Sequence, residues 1–184
     1  MYIRPATQED AIIIAKLINL AMIEITYQFI GKEDENEAND FIAHFVRQNN
    51  NQYSYENIYV IASDKEIIGQ ICLYDGGKLQ ALRKPILDKI KQDFKINYQA
   101  ADETQAGEIY IDTFAVLPNY QGQGIGKKLL EFAIDKVVKQ DRKTLGLLVD
   151  NDNPAAKRLY ERLGFNVVNE VEIFGKKMEH MQYA

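Results

Sequence analysis

Apolar positions along the chain recur with two periods, and each period predicts an element where it holds. Alternating or short apolar runs over Tyr2 to Arg4, "NIYVIAS", "EIIGQICLY", "EIYIDTFAV" and "TLGLLV" predict strands, and Phe165 to Ile173 and Lys177 to Tyr183 predict two more. Asp64 and Lys65 close the second and third of these into a hairpin. Helical spacing begins after Thr7, an N-cap with Asp10 at the third helical position, and runs to about Met22. A second helix is predicted from Glu35 to Arg47, where Phe41, Phe45 and Val46 fall at helical intervals. The segment from Asp75 to Gly107 is less regular: Gly76 and Gly77 interrupt it, Leu79 to Phe94 reads as a helix, and Asn97 to Gly107 reads as a polar loop. A further helix runs from Gly124 to about Lys139. The last one starts at the N-cap Asn153, has Pro154 in its first position and stops at Gly164.

This order is mixed α/β: hairpins come first, and one strand–helix–strand unit, Glu108 to Val149, follows and should form a right-handed parallel crossover. With 184 residues, the chain is long enough for one sizeable core and reads as a single domain over residues 1–184. Charge narrows the partners. The 27 acidic and 22 basic residues leave a net charge of −5, which argues against nucleic acid and suits a cationic substrate. Arg4, Glu9, Asp10 and Lys16 interrupt the N-terminal stretch, so no membrane span or signal peptide is expected there and the chain reads as cytoplasmic. Cys72, the lone cysteine, sits in an apolar strand and is expected to be a buried, inert thiol. With only His44 and His180 beside it, no metal site is expected.

The clearest chemical signal is "LPNYQGQGIGKKLLEFA", where three glycines, Gly122, Gly124 and Gly126, fall within five positions at the mouth of a helix. Glycines there let backbone amides come close to an anion, and a phosphate is the natural guest. The rival phosphate motifs do not fit. A P-loop would need glycine where Gln121 stands and a hydroxyl where Lys128 stands, and a dinucleotide fingerprint would need glycine at Lys127.

"VLPNYQGQGIGKKLL", Val116 to Leu130, resembles the acetyl-CoA signature of the GNAT superfamily of N-acyltransferases, Gln/Arg-x-x-Gly-x-Gly/Ala, through Gln121, Gly124 and Gly126. "NPAAKRLYERLGF", Asn153 to Phe165, resembles the second signature of that superfamily. The resemblance is motif-specific over Glu108 to Phe165 and architectural elsewhere. It implies a three-layer fold with a mixed sheet of about seven strands, about four main helices and an insert over residues 75–107. It also implies acetyl-CoA as cosubstrate and a small-molecule or peptide amine as acceptor. Gln121, Gly122, Gly124, Gly126 and Lys127 would then hold the pyrophosphate. The main chain of Phe114, Ala115 and Val116 would hold the pantetheine arm, and an amide near Phe114 or Ala115 the thioester carbonyl. Asn153 would contact CoA, and Tyr160 would protonate the departing thiolate. Asn153 and Tyr160 are seven residues apart and share a helix face. The alternatives are an N-cap role for Asn153, which is compatible with a CoA contact, and a core role for Tyr160, against which the need of a buried phenol for a polar partner weighs.

The amine must lose a proton before it can attack, so a carboxylate or an ordered water is needed. Alternation on "GEIYIDTFAV" puts Glu108, Tyr110 and Asp112 on one strand face. Asp112 is the first candidate, because aspartate is uncommon inside strands and this one lies two residues before Phe114. Glu108 is the second, with a solvated strand end as its alternative role. By the resemblance, the acceptor side draws on residues 26–37 and 75–106; Tyr27, Phe29, Glu33, Asp34 and Glu35 would there form an aromatic and acidic rim, with a solvated charge run as the commoner alternative. The expectation is direct transfer without a covalent enzyme intermediate, the alternative being a non-catalytic module of the same fold that senses acyl-CoA or binds a partner. Strand edges at the C-terminal end would admit a homodimer.

Overall fold

Along the chain, β1 (Tyr2–Pro5) leads into α1 (Ala11–Ile30) and α2 (Glu35–Val46). The hairpin of β2 (Ile58–Ala62) and β3 (Ile67–Asp75) follows, then α3 (Leu79–Lys89) and the central strand β4 (Glu108–Val116). The chain closes with α4 (Ile125–Ile134), β5 (Thr144–Asp150), α5 (Pro154–Leu163) and the hairpin of β6 (Asn166–Ile173) and β7 (Lys176–Tyr183). This is a computed structural model, and it describes residues 1–173 and 175–184.

The seven strands form one sheet in the order β1-β2-β3-β4-β5-β7-β6. Only β4 and β5 pair in parallel, joined by the crossover through α4. Alternation sorts side chains to two cores. On β3, Cys72 and Tyr74 face one cluster, with Ile14 and Ile18 of α1 and Phe41 and Phe45 of α2. Ile71 and Leu73 face the other, with Leu129 and Leu130 of α4. Each fully buried aliphatic side chain contributes on the order of 1.5–3 kcal/mol, so these two layers hold the three-layer stack together.

Thr7 and Asp10 form the expected capping box at the N-terminal turn. The first helix, however, continues beyond Met22 to Ile30. Met22 itself leaves helical geometry, with φ −139° and ψ 26°. The buried Thr26 hydroxyl donates to Asn19 Oδ1 at 2.7 Å and lies 3.4 Å from the Met22 carbonyl oxygen, so side chains compete with the helical ladder at the kink. The stretch Gln8–Ile30 is long and apolar enough to cross a membrane by length and composition, contrary to the expectation from its charges. In the fold, its side chains Ile14, Ala15 and Ile18 lie fully buried in the first core.

Two irregularities of β4 create the space for a site. Pairing with β5 covers only Glu108 to Ile111 against Thr144 to Leu147, although β4 runs on to Val116 and β5 to Asp150. Beyond Ile111 the two strands part. On the other edge, Leu73 pairs with Ile111 and Ile71 with Phe114, so Cys72 alone stands opposite Asp112 and Thr113. That extra residue is a β-bulge, which bends the strand where the wedge opens.

Candidate active site

The split between β4 and β5 is a cavity of about 850 Å³. Asp112, Thr113 and Phe114 line it from one strand and Leu148, Val149 and Asp150 from the other. Phe29 and Ile86 border it on the side of α1 and α3, and Ala156 and Tyr160 of α5 on the opposite side. The cavity therefore passes through the sheet, and two reactants can enter it from different faces.

At the far end of β4, the glycine turn sits in the open. Gly122 (φ 73°) and Gly124 (φ 77°) hold left-handed backbone, and no protein atom lies within 4 Å of where either side chain would begin. Gly124 is the N-cap of α4 and has no side chain to satisfy the first amides of that helix, those of Ile125, Gly126 and Lys127. Free donors, a helix dipole and open space coincide there. Gly126 serves the packing instead, because a side chain on it would meet the Phe114 ring at 2.9 Å, and its absence seats α4 on β4. Gln121 Nε2 donates to the Val116 carbonyl at 3.0 Å and braces the turn. Lys127 is exposed, 3.5 Å from Glu131. Phe114, Ala115 and Val116 lie beyond the last rung shared with β5, so their main-chain edge on that side has no ladder partner. Asn153 caps α5, accepting from Ala156 N at 3.1 Å, and also borders the cavity.

Tyr160 lines the same cavity, half-buried, with its ring against Phe165. Burial pushes its phenol up to about 12, so it keeps its proton throughout the neutral range. Asp112 lines the cavity as well, and its carboxyl is pushed up to about 7. Burial is the largest cause and the negative charge of Glu103 the next, while hydrogen bonding from Tyr74 and Gln52 and the charge of Arg83 work against them.

Glu108 is placed differently. It is 3% exposed, it does not border the cavity, and the solvated strand end offered as its alternative role is not what the structure holds. Its carboxylate accepts from Thr104 Oγ1 at 2.6 Å, His180 Nε2 at 2.8 Å and Gln182 Nε2 at 2.7 Å. Gly146 makes room for it, since a side chain there would overlap the Glu108 carboxylate. Burial pushes the Glu108 carboxyl up, but the three donors outweigh it and bring the group below its ordinary value.

The segments expected to form the acceptor side were the least legible part of the chain, and the structure brings to this end of the cavity residues that sequence reading did not single out. Gln52, ahead of β2, places its amide nitrogen 2.9 Å from Glu103 Oε1, 3.0 Å from the Tyr74 hydroxyl and 3.2 Å from Asp112 Oδ2. Arg83 of α3 folds the loop back over the cavity, pairing with Glu103 and donating to Asp102 at 3.0 Å and to the Ala101 carbonyl at 3.0 Å. Tyr98 packs edge-on to Phe29 at 4.9 Å. Of the rim expected from Tyr27, Phe29, Glu33, Asp34 and Glu35, only Phe29 borders the cavity. Asp34 instead caps α2, accepting from Glu37 N, and pairs with Lys32, which orients it to a helix end. Cys72 is fully buried, its Sγ donates to the Gln52 carbonyl at 3.3 Å, and burial pushes its thiol well above the ordinary value.

Residues 20–165 match the sequence model of the acetyltransferase (GNAT) family. The chain is 41% identical over 78 residues to the ribosomal protein bS18-alanine N-acetyltransferase of Escherichia coli K12, covering 42% of this chain and 53% of that protein. It is 32% identical over 78 residues to the spermine/spermidine N(1)-acetyltransferase of Bacillus subtilis 168, covering 42% and 51%. The matches thus span about half the length of these curated relatives. A crystal structure described as an acetyltransferase superposes with a TM-score of 0.84 at 31% identity, covering 99% of this chain and 98% of the other.

Proposed function

The chain belongs to the acetyltransferase (GNAT) family, and from that premise we propose that it transfers an acetyl group from acetyl-CoA to a primary amine, with both bound together in the wedge of the sheet. The residues suit the donor. Open glycine amides before α4 fit a pyrophosphate, and the unpaired edge of Phe114, Ala115 and Val116 fits an extended amide-bearing arm that adds to β4 as a strand would. Acetyl-CoA, when bound, supplies an activated acetyl thioester.

The chain's own groups then handle protons and charge. Asp112 accepts a proton from the ammonium at a carboxylate oxygen, and the freed nitrogen lone pair attacks the carbonyl. A proton affinity near neutrality suits a general base that works at neutral pH. An amide of Phe114 or Ala115 donates to the carbonyl oxygen as negative charge gathers on it. Tyr160, still protonated, donates to the sulfur as it leaves. The buried, hydrogen-bonded Cys72 does not border the cavity, which supports direct attack over an acyl-enzyme. Asp112, Glu103 and Tyr98 give the acceptor end an acidic and aromatic lining suited to a cationic amine, such as a polyamine or a peptide N-terminus.

The observation that carries this reading is the splaying of β4 from β5 with Asp112 and Tyr160 on the same cavity. Calorimetry with acetyl-CoA tests it. Saturable binding is expected for the wild type. In Gly124→Glu, whose side chain puts negative charge at the open turn and strains its φ, affinity should fall by about 100-fold or more, roughly 3 kcal/mol. Absence of binding by a folded wild type would overturn the transferase reading in favour of a partner-binding module.

A further inference from the structure

Three acceptors surround one amide nitrogen at the acceptor end of the cavity. Gln52 Nε2 carries two hydrogens, but Glu103 Oε1, the Tyr74 hydroxyl and Asp112 Oδ2 all lie within 3.2 Å of it. Glu103 is better supplied than Asp112. Arg83 donates to its other oxygen, and the Tyr74 hydroxyl lies 3.3 Å from Oε1. Arg83 is committed elsewhere as well, through Asp102 and the Ala101 carbonyl. Asp112 shares its donors, the Gln52 amide and the Tyr74 hydroxyl, with Glu103, and a proton would make good the shortfall.

Resting on the reading of Asp112 as the base, we propose that Glu103 is a positioning residue: by its charge and its claim on the Gln52 amide, it sets the proton affinity of Asp112. Glu103 is carried there by the insert, fifty-one residues along the chain from Gln52. The cavity is also lined by Glu24 of α1, Asp150 of β5 and Tyr160 of α5, but the titratable groups whose fields reach Asp112 are six. They are Glu103 on the loop, Arg83 on α3, Tyr53 before β2, Cys72 and Tyr74 on β3, and Tyr110 on β4 itself. The three tyrosines and the cysteine are held neutral by burial. Glu103 and Arg83 are therefore the charges that act, and Arg83 acts in the opposite sense. Removing the negative charge of Glu103 from beside Asp112 should therefore lower the proton affinity of Asp112.

The test is carboxyl ¹³C NMR of the full chain labelled at its aspartates, with the Asp112 signal assigned by its loss in Asp112→Asn. In Glu103→Gln, the like charge disappears and the Gln52 amide is released toward Asp112, so the Asp112 midpoint should fall by about one pH unit. Burial remains and keeps it above the ordinary range. Glu103→Asp, which keeps the charge, should hold the midpoint near that of the wild type. Gln52→Met, which takes away a donor, should move it upward. An unmoved midpoint in folded Glu103→Gln overturns the proposal, as does an unmoved one in Gln52→Met if the first variant does not fold. The acid limb of kcat should shift with the midpoint while KM for the amine changes little. A purely structural Glu103 would lower stability and leave that limb in place. If Asp112→Asn retains full acetyl transfer, the reading of Asp112 as the base fails separately, while the NMR midpoint still reports whether Glu103 governs it.

Discussion

The two ends of β4 present the same chemistry to opposite effect. Glu108 and Asp112 stand four residues apart on one face of one strand, Glu108 buried and Asp112 half-buried. At the end where β4 pairs with β5, Glu108 reaches over Gly146 to β7 and collects donors from Thr104, His180 and Gln182. At the end where the strands part, Asp112 draws on the Tyr74 hydroxyl and on a Gln52 amide that it shares with a second carboxylate, and it opens onto the cavity. One group falls below its ordinary value and the other rises to about 7. Desolvation acts on both; the supply of donors separates a carboxylate held below its ordinary value from one raised above it.

The widest expected divergence is in turnover. Asp112→Asn, which preserves shape and removes the proton acceptor, should lower kcat by about 10²- to 10⁴-fold, whereas Glu108→Gln should lower turnover per folded molecule far less. Comparable losses in steady-state assays of the two variants would place the base at the closed end. Next comes stability. Glu108→Ala leaves three buried donors without a partner and should cost about 3 kcal/mol in urea unfolding. Its pH dependence has a definite sign: the folded value lies below the unfolded one, so the stabilisation is full above the unfolded value and is lost as pH falls through the folded one.

The smallest expected effect has the opposite sign. Asp112 is raised from 3.8 to about 7 in the fold, so the folded protein holds that proton more tightly than the unfolded chain. Its contribution to stability therefore declines as pH rises from about 4 to about 7. Asp112→Asn should stabilise the protein by roughly 1 kcal/mol at pH 8, allowing for relaxation around the site, and the gain should vanish below pH 4 in thermal melts. A melt in which Asp112→Asn is the less stable protein at pH 8 would show that Asp112 is donor-rich like Glu108. The expected exchange of activity for stability marks a site built at some cost to the fold.

The features readable from the chain alone were those set by neighbours in sequence. Period-two runs located the strands, caps located the N-terminal helical turn and α5, and the spacing of Gly122, Gly124 and Gly126 located the open turn before α4, because a turn, a cap and a helix N-terminus are each made within a few residues. Alternation correctly placed Glu108 and Asp112 on a common face. It carried no sign that their environments would diverge. The continuation of α1 past Met22 depends on Asn19 and Thr26 meeting inside the core. The bulge at Asp112 and Thr113 depends on the register with β3. The polar cluster at Asp112 depends on Gln52, Tyr74, Arg83 and Glu103, which four separate segments bring together. Sequence alone thus determined the order of elements and an open glycine turn at a helix N-terminus. Tertiary structure decided which carboxylate holds its proton more tightly, since proton affinity is set by burial and by donors that only the folded chain brings together.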